Sequence, residues 1–351
     1  MTPSVLTLSR RLVLAGSVAL SAAACRSLAM PTTEPVAETA YPSVGRIVRD
    51  DPALDRLIAP DARIEKLAEG FTWSEGPVWI ADGGYLLFSD VPQNRIHRWS
   101  PTDGASVFLS PSGFDGPDPS GFREPGSNGL INGPAGSILM ADHGNRAIAR
   151  VDLATKQKTL LATQYQGKKF NSPNDLVRAR NGAIYFTDPP YGLKDMNDSP
   201  LKEQPHNGVY RLDPDGTVSL LIADLTFPNG VALSPDQRTL YVAQSDPVRA
   251  VVMAYDLSPG GQTSSGRVLK DFTALVGADH PGLPDGLAID AQGHLFVTGP
   301  GGIHILTPQG QSLGRIDTGQ ATANCKFGGD GATLYITAGT TLVRLKTLTR
   351  G

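Results

Sequence analysis

The chain has 351 residues, room for two average domains or one large all-β domain. Hydrophobic residues at 40% and charged residues at 19% give an ordinary globular composition, which excludes a disordered chain. A net charge of −3 leaves no basic footprint for nucleic acid and no polybasic patch for a membrane surface.

The first segment, 1–30, reads as an export leader. Ser9-Arg10-Arg11 precedes an apolar run from Leu12 to Ala24 that is too short to span a bilayer as a stable helix. Twin arginines before such a run form a Tat-type pattern, which predicts a periplasmic or exported protein without a transmembrane span in its mature form. Ala22-Ala23-Ala24-Cys25 also fits a lipoprotein processing site, so a lipid anchor at Cys25 stands as an alternative. Residues 31–60 are rich in Pro, Thr and Ala and read as a linker leading to a short docking segment. Beyond the leader only Cys325 remains, so no intrachain disulfide forms. Its strand-like surroundings, Asn324-Cys325-Lys326-Phe327, predict a buried structural thiol.

Residues 61–351 form one domain built from a repeated unit. Gly 39 and Pro 28 predict frequent turns and many short strands. Each unit runs from a small or polar residue through Asn, Asp or Glu, usually followed by Gly, into an apolar strand, a turn and a second apolar strand. Ser74-Glu75-Gly76-Pro77-Val78-Trp79 leads to Tyr85–Asp90, and Ser127-Asn128-Gly129-Leu130 leads to Ser137–Asp142. Pro173-Asn174-Asp175-Leu176 leads to Ala183–Asp188, and Pro228-Asn229-Gly230-Val231 to Thr239–Ala243. Pro284-Asp285-Gly286-Leu287 leads to His294–Thr298, and Ala323-Asn324-Cys325-Lys326 to Thr333–Thr337. The polar leads are spaced 53, 46, 55, 56 and 39 residues apart, close to a propeller-blade period, and further strands between them fill four per unit. The pattern predicts an all-β, six-bladed β-propeller. Two irregular segments, 110–126 (with Phe114, Asp118 and Arg123) and 194–206, break the rhythm and are expected to wall a site at the channel mouth.

In a propeller the first strand of each blade lines the axis, so like positions form a ring. That ring holds Glu75, Asn128, Asn174, Asn229, Asp285 and Asn324, all oxygen-bearing. Six uncompensated polar groups in a narrow channel are costly unless a cation binds them. The ring lacks His and Cys, and carboxylate with amide oxygen suits Ca²⁺ first, with Mg²⁺, Mn²⁺ or Zn²⁺ as alternatives.

These motifs, with Leu283-Pro284-Asp285-Gly286, Asn324-Cys325-Lys326-Phe327-Gly328-Gly329 and Thr187-Asp188-Pro189-Pro190-Tyr191-Gly192, resemble the gluconolactonase / senescence-marker-protein (regucalcin-like) family from about Ile64 to the C-terminus. The last motif is similar to its exported bacterial gluconolactonase-type branch. The resemblance implies a divalent-metal lactonase acting on a small lactone. Glu75 and Asn229 fall on its metal ligands, Asp285 on its metal-binding catalytic Asp, and Asn174 on an Asn that contacts metal or substrate. Ser172 stands where the animal sugar lactonases carry Arg.

The expected reaction is lactone hydrolysis to the hydroxy acid, with the metal polarising the carbonyl and Asp285 moving the proton. Asn128 and Asn174 would donate to substrate oxygens, and Asp188 and Tyr191 would complete substrate binding. A carboxylate on a cation is a weak base, so His143, in Asp142-His143-Gly144, is a second catalytic candidate, and an activated water a third. The competing readings are a non-catalytic sugar- or calcium-binding propeller, a protein-interaction scaffold, and an aryl ester or phosphotriester hydrolase on the same metal. A monomer or small oligomer is expected. Gly-x-Ser-x-Gly and HExxH motifs are absent, which removes serine-hydrolase and zincin chemistry.

Overall fold

The computed structural model describes residues 41–351; the predicted leader and the first part of the linker lie outside the described residues. Alternating apolar residues and frequent glycine turns produce six antiparallel sheets of four strands or more, each beginning at one of the six polar repeats. Blade I comprises Ser74–Ile80, Tyr85–Asp90, Arg95–Ser100 and Gly104–Leu109, from the axis outward. Blades II, III and IV begin at Ser127–Asn132, Leu176–Arg178 and Pro228–Leu233, and blades V and VI at Leu287–Ile289 and Thr322–Gly328. Each innermost strand packs on those of the preceding and following blades, VI on I included, which closes the ring. The fold is the predicted six-bladed propeller.

Closure is made by the N-terminal part of the chain. Ile64–Glu69 pairs antiparallel with Thr341–Lys346, so blade VI is built from both ends of the domain. Residues 41–60 take part as well. Ser43–Val44 adds a strand to blade VI and Arg46–Arg49 one to blade V, and the short helix Pro52–Arg56 buries Leu54 beside them.

The apolar faces of neighbouring blades meet in six clusters, one per interface. Between III and IV, for example, Tyr185, Val231, Val242 and Met253 interdigitate. Complete burial of a Phe or Leu side chain stabilises by roughly 1.5–3 kcal/mol, and Phe88, Phe186 and Phe296 are all fully buried. Cys325 lies in the V–VI cluster, its thiol pushed up to about 12 by burial, and is an inert packing group.

Candidate active site and metal centre

Pairing in the innermost strands breaks at the polar positions. The register shifts between Glu75 and Val78, between Ser127 and Leu130, between Pro228 and Val231, and between Thr322 and Asn324. In blades III and V, Asn174 and Asp285 lie just ahead of the strand. Such bulges and strand ends release a side chain from the sheet face and let it turn along the axis. The second strand supports each turn by hydroxyl bonds to the freed backbone. Ser89 Oγ donates to the Asn128 carbonyl at 2.8 Å and Thr187 Oγ1 to that of Asn229 at 2.6 Å, while Thr298 Oγ1 accepts from Asp285 N at 2.9 Å.

The Gly after the polar residue has a reason other than turn chemistry. A Cβ on Gly230 would overlap the Asp285 carbonyl oxygen of the next blade, and one on Gly76 would overlap that of Asn128. Backbones approach so closely at the axis that only glycine fits.

Glu75, Asn128, Asn174, Asn229 and Asp285 line one cavity of about 590 Å³. Asn324, the sixth ring residue, is outside its lining and instead donates through Nδ2 to Glu75 Oε2 at 3.3 Å. Gly76 N donates to the same oxygen at 2.9 Å. Glu75 is 2% exposed, and burial pushes its carboxyl up to about 8, with the negative charge of Asp175 adding to the rise. Burial also holds the Asp285 carboxyl well above the usual carboxylate range, reinforced by Glu75, Asp175 and Glu124. Among the described residues, no side-chain hydrogen bond reaches the Asp285 carboxylate, and only the adjacent Gly286 N–H opposes the rise.

The amide groups complete an oxygen-rich floor. Asn229 Nδ2 donates to Ser245 Oγ at 2.9 Å, leaving its Oδ1 buried without a partner. Asn128 turns its Nδ2 toward His143 Nε2, 3.5 Å away, and its Oδ1 is likewise buried and unpartnered. Asn128 turns its amide NH2 toward the imidazole, so the atom it leaves without a partner is an acceptor, Oδ1, where the sequence led to the expectation of a donor.

Among the described residues, no three His, Cys, Asp or Glu side chains form a metal-ligating cluster. Two carboxylates and orphaned amide oxygens form a different kind of donor set, in which uncompensated oxygens need a cation. This chemistry fits a hard divalent ion.

Several candidates lie elsewhere than expected. His143 is fully buried and outside the cavity lining, 3.6 Å from Glu124 Oε2, and burial pushes its pKa down to about 3. It is a neutral support for Asn128, not a group facing substrate. Asp188 is also fully buried and outside the lining. Its carboxylate accepts from Asn171 N at 2.8 Å, as Asp90 accepts from Thr72 N at 3.0 Å in blade I. It belongs to a set of aspartates that end the second strand and brace the segment entering the first, so the expected substrate contact is corrected to a structural role. Ser172 is buried too, bonding Pro189 O and Gly192 N at 2.6 and 2.9 Å, so the position compared with Arg does not face the cavity. That brace presents Tyr191, which lines the cavity and stacks on Phe227 at 5.8 Å. Phe114 packs on Phe122 at 4.8 Å, away from the cavity.

The two irregular segments touch each other, but only 110–126 contributes to the cavity lining; residues 194–206 stay outside it. Arg123 N donates to Gly192 O at 3.0 Å, and Lys194 N to Gly121 O at 3.0 Å. Arg123 and Glu124 line the cavity as an ion pair. Sequence reasoning missed Glu124, Ser245 and the loop 276–283, which lines the opposite side. It also missed Asp175, a buried carboxylate that accepts from Leu176 N and Val231 N at 2.9 and 3.2 Å. Asp175 stands where four other repeats carry Gly, and that substitution was the available signal.

A family model, the SMP-30/Gluconolactonase/LRE-like region, matches residues 73–340, and the chain belongs to this family. A gluconolactonase of Zymomonas mobilis is 47% identical over 313 residues, covering 88% of each chain. A pentonolactonase of Haloferax volcanii is 26% identical over 274 residues, covering 75% of this chain and 80% of its own. The solved structure of a Xanthomonas campestris gluconolactonase superposes with a TM-score of 0.74 at 33% identity, covering 90% of this chain and 99% of its own.

Proposed function

We propose that this chain hydrolyses a gluconolactone-like sugar lactone to its hydroxy acid, using one divalent cation, Ca²⁺ first, held by Glu75, Asn174, Asn229 and Asp285. The observation that supports this most is the pair of cavity-lining carboxylates beside orphaned amide oxygens, in a chain 47% identical to a gluconolactonase. When bound, the cation supplies Lewis acidity to the lactone carbonyl and offsets the charge that develops there.

The chain's own residues divide the remaining work. Glu75 is buried and hydrogen-bonded, so it serves as a fixed ligand. Asp285 is partly exposed to the cavity and free of side-chain hydrogen bonds, so one of its oxygens remains for water. It takes a proton as water adds to the carbonyl carbon and returns it to the ring oxygen as the C–O bond breaks. Asn128, oriented by His143, accepts from a substrate hydroxyl. Tyr191, whose phenol is raised by burial, stays protonated and donates. Arg123 and Glu124 bind further hydroxyls at the mouth.

The test is acid release in a pH-stat by purified protein given glucono-, galactono- and unsubstituted δ-lactones. Enzymatic release from the sugar lactones supports the reading, and none from any lactone overturns it. The twin-arginine leader further supports export to the periplasm, with Cys25 lipidation as the alternative. Changing Arg10 and Arg11 to Lys should leave the precursor in the cytoplasmic fraction; unaltered export would contradict a Tat route.

A further inference from the structure

The cavity has two unlike walls. In a six-membered ring of blades, the connection from I to II lies opposite the connection from IV to V. The first carries Arg123 and Glu124, paired through Arg123 Nη2 and Glu124 Oε1 at 2.5 Å. The second, 276–283, lines the cavity with Val276, Pro281 and Leu283, and His280 is its one titratable lining group. Pro247, from the hairpin of blade IV, lines the same side.

The apolar surface continues outward from this wall. Leu275 is 40% exposed and Val248 81% exposed, each one residue from a lining residue. The two segments lie side by side, since Ala250 N donates to Thr273 Oγ1 at 3.0 Å and Phe272 N to Ala250 O at 2.8 Å. The strip begins at Leu283, two residues before Asp285, and ends at the solvent-exposed lip. A cavity of about 590 Å³ lies within the roughly 300–1,000 Å³ typical of drug-sized ligands, and a single sugar ring fills only part of it. Hydroxyls laid against Val276 and Leu283 would lose water without gaining partners, whereas methylenes would gain from leaving water.

We infer that the site accepts lactones bearing an alkyl or aryl substituent, with the lactone ring over Asp285 and the substituent along Leu283, Val276 and Pro247 toward Val248. The inference rests on the lactonase reading and extends it from polyhydroxy lactones to apolar-substituted ones. The apolar strip sets selectivity through contact with the substituent, and the Arg123–Glu124 wall opposite takes the hydroxyls of polyhydroxy lactones.

The experiment compares kcat/KM for δ-valerolactone, δ-octalactone and δ-decalactone, with D-glucono-1,5-lactone as the hydroxylated reference. Each buried methylene should raise kcat/KM by up to about fourfold. Val276→Asn, at a half-buried cavity-lining position, and Val248→Ser, on exposed loop surface, should each flatten the series. A flat or falling series in the wild-type protein, with glucono-1,5-lactone still hydrolysed, overturns this inference and leaves the lactonase reading intact. Absence of hydrolysis with every lactone overturns the lactonase reading instead. Calorimetry with alkylated δ-lactams then tests the strip by itself: affinity rising with chain length supports it, and affinity independent of length removes it.

Discussion

Replacing Glu75 with Gln should move the protein's stability in opposite directions with and without its cation. Glu75 is raised by burial to about 8, against about 4.5 in an unfolded chain. The unfolded chain therefore ionises first, and its advantage grows as pH rises from about 4.5 to about 8. One pKa unit is worth about 1.4 kcal/mol, so at pH 7 the cost to the cation-free fold is on the order of 3 kcal/mol. Gln keeps the shape and an acceptor for Gly76 N or Asn324 Nδ2 while removing that cost. By differential scanning fluorimetry in chelator at pH 7, Glu75→Gln should melt roughly 5 °C above wild type. Added Ca²⁺ should raise wild type but barely move the variant, because losing one of two carboxylate ligands should cost at least the roughly 10–100-fold that losing an outer-shell partner does. A chelated Glu75→Gln protein that melts below wild type, or that keeps the full Ca²⁺ response, would refute the reasoning.

Three further expectations use different parts of the structure. Glu75 and Asp285 both have folded pKa values above their unfolded ones, so their contribution to stability is present at low pH and lost as pH rises. The chelated protein should thus melt progressively lower from about pH 5 through pH 8, and the stabilisation by Ca²⁺ should grow over the same interval; a Ca²⁺ effect independent of pH would contradict this. Gly230→Ala forces a Cβ into the Asp285 carbonyl and should cost about 2–3 kcal/mol in urea denaturation, with lactonase activity falling as blades IV and V part. His143 is pushed down to about 3 and stays neutral above pH 5, so His143→Gln should leave the shape of the pH–rate profile unchanged while raising KM through Asn128. Loss of a limb near pH 6–7 would instead restore His143 as a base.

The propeller was legible because each blade announces itself twice, by a polar-Gly step at the axis and by the apolar strand that follows. The ring residues were legible for the same reason, whereas the cause of the Gly beside them, contact between neighbouring blades, has no signature in sequence. Asp188 was misplaced because a conspicuous motif hid its own repeat. Asp90, Asp142 and Asp246 end the second strands of blades I, II and IV in the same way. His143 looked reactive in sequence because spacing carries no information about burial. The wall role of 110–126 was legible in its broken rhythm, but Glu124 as the side chain that faces the cavity, and the loop 276–283, were beyond reach. Irregular loops have no period, and their placement follows from long-range contacts such as Arg123 with Gly192.

The central claim, a divalent cation held by the axial carboxylates and used to open a lactone, is tested most directly on metal-stripped protein. With D-glucono-1,5-lactone in a pH-stat, acid release should fall to the spontaneous rate after chelation and return on titration with Ca²⁺, while Asp285→Asn stays at the spontaneous rate although folded. Full hydrolysis by the stripped protein, or activity retained by Asp285→Asn, would contradict it.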